Sequence, residues 1–162
     1  MISNVTNVNS WPLIKSTIVK QGYLLQMIDD FKDCFGDPDI TGKVGTDIEE
    51  GKCCWNVVTA LQYCTEDQKK TLSQCYGKPS EESVNTVKHI YSELNLKDIF
   101  DREVDRLEEE INSYIETIGQ SDDKMFVKVL EYLMKMIKKQ KILTNVCEYM
   151  KEFSADIDYY CY

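Results

Sequence analysis

The chain has 162 residues, a length that suits one domain with a buried core, and 43% of its residues are hydrophobic. Its net charge of −9 argues against nucleic acid or an anionic membrane surface as the main partner. No stretch approaches the roughly 20 consecutive apolar residues that a membrane span requires. Residues 1–10 also lack the basic and apolar regions of a secretory signal.

Seven cysteines occur at irregular positions, and no Cys-x-x-Cys pair is present. An odd number without zinc-type spacing is typical of reduced thiols that pack as small hydrophobic side chains. Together with the lack of a recognisable signal, this indicates a cytoplasmic protein.

Apolar residues that recur at steps of three and four predict an all-α chain, with no β-type alternation. Residues 1–10 are expected to be poorly ordered. The pattern then predicts a helix from about Pro12 to Phe35, which ends at the turn formed by residues 36–38. A glycine-rich loop is expected over 36–51.

The later helices are separated by recognisable stop and cap signals. Thr65 and Gln68 form a possible capping box, and Gly119 is a plausible helix end. The expected helices cover about 52–64, 65–76, 81–118 with an interruption near Asn95-Leu96, and 122–141. Residues 142–162 are expected to form a C-terminal extension of a helical domain over 11–141.

Three carboxylates lie at the end of the first predicted helix. Asp29 and Asp33 share a face because they are four residues apart, and Asp30 lies about 100° around the helix from Asp29. Like charges at this spacing destabilise a bare helix by about 0.2–0.5 kcal/mol per pair. A Mg²⁺ ion would reverse that effect, because it takes one or two carboxylates and completes its shell with waters and substrate phosphate. Lys43 and Lys52 would then supply positive charge from the loop.

The acidic run has two other interpretations, neither of which involves Mg²⁺. An acidic helix end followed by an ordinary turn explains the spacing equally well, so that alternative stays open. An EF-hand calcium loop beginning at Asp37 would place Ile48 at position twelve, where calcium requires a bidentate Glu. The calcium loop is therefore rejected.

The run from Asp29 to Ile48, followed by Lys52-Cys53-Cys54-Trp55, resembles the second aspartate-rich region of the short-chain isoprenyl diphosphate synthases, the family of the farnesyl diphosphate synthases. The resemblance continues through Tyr76-Gly77 and residues 90–96, and covers about residues 17–141. It implies the all-α isoprenoid-synthase helical bundle. It also implies isoprenoid biosynthesis by Mg²⁺-dependent prenyl transfer from an allylic diphosphate to isopentenyl diphosphate.

Carried over position by position, the resemblance implies metal ligands and diphosphate contacts. Asp29 is expected to be the most direct ligand of Mg²⁺. The implied metal ligands are Asp29, Asp30 and Asp33. The implied contacts to the allylic diphosphate are Lys43, Lys52 and Gln26.

The chain departs from the family in one respect that affects function. The family binds its metals between two aspartate motifs, yet only 28 residues precede Asp29 and none of them is acidic. The first motif and the N-terminal half of the bundle are therefore expected to be missing. On this view the chain is a truncated prenyltransferase fragment that is inactive alone.

Two alternatives to the inactive prenyltransferase fragment stay open. The parent enzyme could be a terpene synthase that evolved from the same family. The chain could instead be a non-catalytic helical subunit, which would form a homo- or hetero-oligomer through the apolar stripe of Leu13, Ile18 and Leu25.

Overall fold

The computed structural model describes residues 10–120 and 124–158, and describes the side chains up to Lys141. Within these ranges the chain forms seven α-helices and no strand, which confirms the all-α prediction. In chain order the helices are α1 (Trp11–Phe35), α2 (Pro38–Thr41), α3 (Trp55–Tyr63), α4 (Glu66–Cys75), α5 (Glu81–Glu93), α6 (Leu96–Gly119) and α7 (Lys124–Asp158). None of these helices is long and apolar enough to cross a membrane.

The end of α1 falls where the sequence predicts it. The helix stops at Phe35, and the Asp37 carboxylate then accepts the Asp39 N–H at 3.0 Å as the cap of α2. Helix α2 lies within the predicted loop. A helix of four residues is too short to show an apolar period, so the sequence indicated only a loop there.

The capping box and the interruption of the long helix are both confirmed. The Thr65 hydroxyl accepts the Gln68 N–H, and the Gln68 side chain accepts the Thr65 N–H. Helix α5 ends at Glu93 and α6 begins at Leu96. Asn95 between them adopts the left-handed conformation, with φ of 50°, which breaks the helical hydrogen bonding.

Helix α7 is longer than predicted. It continues past residue 141 to Asp158, and no Gly or Pro interrupts residues 124–158. Residues 142–158, which the sequence assigned to an extension, therefore continue this helix. The predicted disorder of residues 1–9 and the last four residues of the predicted extension, 159–162, lie outside the described part of the chain.

The described helices divide into two compact units. The first unit comprises the chain up to Gln26 together with Asp101–Gln140. Within it, Lys20 pairs with Glu110 at 2.9 Å, and the buried Gln21 side chain donates to the Leu130 carbonyl at 2.8 Å. These contacts join the start of α1 to α6 and α7.

The second unit comprises Met27–Phe100 and the chain from Lys141 onward. Phe31, near the end of α1, stacks on Phe100 with ring centroids 3.9 Å apart, and Trp55 meets Phe100 edge-on at 5.6 Å. A buried cluster accompanies these rings: Cys34, Ile48, Ala60, Cys64, Leu72, Val87, Ile90, Tyr91 and Leu96. The carboxylate-bearing end of α1 is therefore anchored to a packed core.

Replacement of Phe31 by Ala is expected to lower the free energy of unfolding by about 3–5 kcal/mol, because the ring is buried and its removal leaves a cavity beside Phe100. Urea unfolding measures the effect. The matched control is Tyr63→Ala, whose side chain is 58% exposed and should change stability by no more than about 0.5 kcal/mol. Equal losses from the two variants would contradict the proposed core.

Candidate functional site

The three carboxylates at the end of α1 occupy three different environments. The Asp29 side chain is exposed, and it makes no hydrogen bond or ion pair with any residue that the structure describes. Asp30 is buried, and the Asp33 side chain is 7% exposed. The three carboxylates, which the sequence treated alike, therefore differ: among the described residues Asp29 has no partner, whereas Asp30 and Asp33 bind other groups of the protein.

Asp30 joins the end of α1 to the loop and to the start of α3. Its Oδ1 accepts from the Lys52 ammonium at 3.1 Å, and its Oδ2 accepts the Trp55 N–H at 2.8 Å. The Asn56 side chain donates to the Asp30 main-chain carbonyl at 2.6 Å. A carboxylate at a helix N-terminus satisfies an otherwise unpaired N–H and complements the helix dipole. Asp30 therefore acts as the N-terminal anchor of α3.

Asp33 holds the glycine-rich loop. Its Oδ2 accepts the Asp47 N–H at 2.9 Å, and Lys43 lies 3.5 Å from its Oδ1. Gly45 packs directly against this residue, because a Cβ at Gly45 would lie 1.6 Å from the Asp33 carbonyl oxygen. A side chain at position 45 would push the loop away from α1, so glycine is required there.

Lys52 is held at both its side chain and its backbone. The ammonium donates to Asp47 at 2.8 Å as well as to Asp30, and the Lys52 N–H donates to the Asp47 carbonyl at 3.0 Å. The hydrogen bonds that the ammonium donates, first to Asp47 and then to Asp30, raise the pKa of Lys52, so the side chain stays charged. Since the side chain is still 40% exposed, the ammonium can also reach a bound anion.

The sequence analysis missed Asp47. Burial raises the pKa of its carboxyl group, and the hydrogen bond from Lys52 opposes that shift. Its role depends on a loop that folds back onto α1, and no periodic pattern in the loop signals that contact. The run from Asp29 to Ile48 contains the residue, but gives no reason to single it out.

The structure brings four of the six predicted site residues into one bonded group: Asp30, Asp33, Lys43 and Lys52. Asp29 lies beside this group on α1 with its side chain exposed. Gln26 is exposed on the same helix, but belongs to the first compact unit.

A divalent cation fits only part of this donor set. Within the described part of the chain, no three His, Cys, Asp or Glu side chains are arranged to hold a metal ion. Both side-chain oxygens of Asp30 already accept hydrogen bonds, whereas Asp29 offers both of its oxygens and Asp33 offers Oδ1. These donors suit an ion that takes one or two carboxylates and otherwise binds water and phosphate oxygens, as Mg²⁺ does. They do not suit an ion enclosed by protein ligands.

Comparison with known proteins identifies the class to which this fold and site belong. The family profile described as polyprenyl synthetase matches residues 1–94, and the chain belongs to this family. Membership implies a divalent metal cofactor in general terms.

The most similar relatives include plant farnesyl diphosphate synthases. The chain is 40% identical over 128 residues to farnesyl pyrophosphate synthase 2 of Cannabis sativa, an alignment that covers 79% of this chain and 37% of that protein. It is 42% identical over 132 residues to farnesyl diphosphate synthase 1 of Artemisia spiciformis, with 79% and 36% covered. The chain thus spans little more than a third of the length of these relatives.

Solved structures give the same assignment for the fold. The structure of farnesyl pyrophosphate synthase from T. brucei matches with a TM-score of 0.75 and 29% sequence identity, over 78% of this chain and 39% of that one. The prediction of the isoprenoid-synthase helical fold is therefore confirmed.

Asp29 and Asp30 differ in environment although they are adjacent and carry the same group, which permits a matched test. Asp30→Asn is expected to lower the free energy of unfolding by about 1–3 kcal/mol, because it weakens the buried pair with Lys52. Asp29→Asn should change stability by no more than about 0.5 kcal/mol. Tryptophan-monitored urea unfolding measures both, and similar losses would be inconsistent with separate roles for the two carboxylates.

Proposed function

We propose that this chain supplies a diphosphate-binding wall of an isoprenyl diphosphate synthase in isoprenoid biosynthesis. In the reaction the allylic diphosphate loses pyrophosphate, the alkene of isopentenyl diphosphate attacks the resulting carbocation, and the product cation loses a proton to restore a double bond. The observation that carries this proposal is the Lys52 side chain, whose ammonium is fixed by Asp30 and Asp47 while the side chain as a whole remains 40% exposed. A charge held in place before the ligand arrives stabilises a departing anion without further reorganisation.

Each candidate residue has a distinct proposed role. Lys52 and Lys43, the latter with a 61% exposed side chain, would bind the allylic diphosphate. The family resemblance also implies a diphosphate contact for Gln26. Asp29 would be the main ligand of Mg²⁺, with Asp33 as a second. When bound, Mg²⁺ acts as a Lewis acid that neutralises charge on the leaving group. Asp30, which the sequence grouped with the metal ligands, would act through Lys52 and α3.

The proposal also concerns the activity of the whole enzyme, beyond the binding of diphosphate at this site. The chain spans little more than a third of its relatives' length, and we propose that these residues bind diphosphate whereas turnover belongs to the whole enzyme. Prenyl transfer depends on placing the reacting groups between charged walls. A terpene synthase on the same scaffold would use the same diphosphate site, and analysis of products from a longer protein distinguishes the two.

We further propose residues 11–141 as the family's helical domain and residues 142–162 as its extension. The proposed location of the protein is the cytoplasm.

Calorimetry with Mg²⁺ and inorganic pyrophosphate tests the site without requiring turnover. Asp29→Asn and Lys52→Met are each expected to weaken binding by about ten- to a hundredfold, because each removes one charged contact of about 1.5–3 kcal/mol. Omission of Mg²⁺ should weaken binding of the wild-type chain by a similar amount.

The matched control for that experiment is Asp39→Asn, which makes the same charge change on the exposed helix α2. It should bind as the wild type does. If Asp29→Asn left the affinity for Mg²⁺ and pyrophosphate unchanged, Asp29 would not be the metal ligand.

A second candidate function is supported by apolar side chains that are exposed in the first unit. Ile18 and Leu25 of the predicted stripe are each 45% exposed, whereas Leu13 is half-buried. Other large apolar side chains of this unit are also exposed: Trp11, Val19, Tyr23, Met125, Val129, Tyr132, Leu133 and Met136. Such a surface is typical of a helical protein that binds another helical chain, so a non-catalytic partner subunit is the alternative proposal.

Sedimentation of the purified chain tests this alternative. If the apolar surface binds a second copy, the mass should exceed the 18.9 kDa of one chain, and the double variant Ile18→Glu/Leu25→Glu should return it to that value. Lys15→Glu, an exposed position on the same helix, serves as the control and should leave the mass unchanged. A wild-type monomer that does not bind a hydrophobic dye would be evidence against a partner-binding surface.

A further inference from the structure

The loop that carries Lys52 is held from a second direction, by the turn that follows α4. The Tyr76 hydroxyl donates to the Lys52 carbonyl at 2.7 Å, and the Gly77 N–H donates to the Ile48 carbonyl at 2.9 Å. Two adjacent residues of the turn therefore form hydrogen bonds to the loop on both sides of Gly51, at Ile48 and at Lys52.

The turn and the loop approach each other backbone to backbone. Gly51 and Gly77 both have positive φ, of 64° and 76°, and a Cβ added to Gly51 would lie 3.2 Å from the Gly77 Cα. A side chain at either glycine would be strained by its backbone conformation, and one at Gly51 would also press on the turn. The contact is consequently fixed by main-chain atoms, which leave little freedom for the loop to shift against the turn.

The Tyr76 hydroxyl is suited to act as a permanent donor. The side chain is half-buried, and the Cys54 thiol lies 3.4 Å from the same oxygen. Burial raises the pKa of Tyr76, so the hydroxyl stays protonated. A hydrogen bond to the Lys52 carbonyl fixes the peptide plane beside Lys52 and, with it, the direction in which its side chain leaves the backbone.

We propose that Tyr76 is a positioning residue for Lys52, which acts by fixing the Lys52 backbone while Asp30 and Asp47 fix its ammonium. This inference rests on the proposed function, since it assigns Tyr76 to the same diphosphate site. The side chain of Tyr76 does not itself contact the diphosphate. Its effect on binding passes through Lys52.

The hydrogen bonds around Lys52 allow the positioning role of Tyr76 to be tested separately from its contribution to the stability of the fold. The Lys52 carbonyl also accepts the Cys54 N–H at 2.9 Å, so it keeps one donor when the tyrosine hydroxyl is removed. Tyr76→Phe keeps the ring and leaves the Lys52 carbonyl with one donor, while the buried Cys54 thiol and the buried Tyr91 hydroxyl lose the Tyr76 hydroxyl beside them. The substitution should therefore loosen the loop without unfolding the protein.

Calorimetry with Mg²⁺ and pyrophosphate measures the functional effect. Tyr76→Phe should weaken binding by about three- to tenfold, which corresponds to the loss of one ordinary hydrogen bond. In the Lys52→Met background the same substitution should have no further effect, because two residues that act through one contact are not additive. Tyr114→Phe, which removes a hydroxyl bonded to Glu110 in the first unit, is the control and should bind like the wild type.

Amide hydrogen exchange gives a readout that needs no ligand. Tyr76→Phe should speed exchange in the peptide that covers residues 47–55, whereas Tyr114→Phe should not. Unchanged exchange there, or an equal loss of affinity in the Lys52→Met background, would overturn the role of Tyr76 even if the wild type binds pyrophosphate. Failure of the wild-type chain to bind would instead reject the proposed function, and with it any role of Tyr76 in binding.

Discussion

The Lys52 ammonium lies between the carboxylates of Asp30 and Asp47, at 3.1 and 2.8 Å, and these two ion pairs connect three separate pieces of the chain. Asp30 belongs to the end of α1, Asp47 to the loop that folds back on it, and Lys52 to the approach to α3. A partly buried charge group of this kind is stable only when all its members are paired, since an unpaired buried charge is costly. The geometry of the candidate site therefore depends on this group.

The same ion pairs change the argument for a metal ion. From the sequence, the repulsion among three clustered carboxylates was a reason to expect a cation, with an ordinary acidic helix end as the alternative. The protein itself relieves most of this repulsion, because Asp30 is neutralised by Lys52 and Asp33 accepts the Asp47 N–H. Asp29 is the carboxylate left without such a partner among the described residues. Of the three carboxylates, Asp29 and the Oδ1 atom of Asp33, which lies 3.5 Å from Lys43, are left for the divalent metal that membership of the polyprenyl synthetase family implies in general terms.

In the second unit, a buried aromatic core supports charged side chains that are exposed to solvent. Phe31 and Phe100 fix the end of α1 in the core, whereas the Lys43 side chain on the loop is 61% exposed. Rigid support beneath exposed charges is the arrangement that electrostatic catalysis requires, because the charges must be in place before the anion forms. The matched part of this chain covers 37% and 36% of the length of the two relatives described above.

The sequence by itself determined the helical class, the end of α1, the Thr65 capping box and the break at Asn95, because each depends on neighbours within a few residues. Its resemblance also brought the acidic run and Lys43 and Lys52 to attention. Only the tertiary structure decided which carboxylate is free, that Asp47 holds Lys52, and that Tyr76 reaches the Lys52 carbonyl. Those contacts join residues up to 25 positions apart through folded loops, and no local sequence period encodes them.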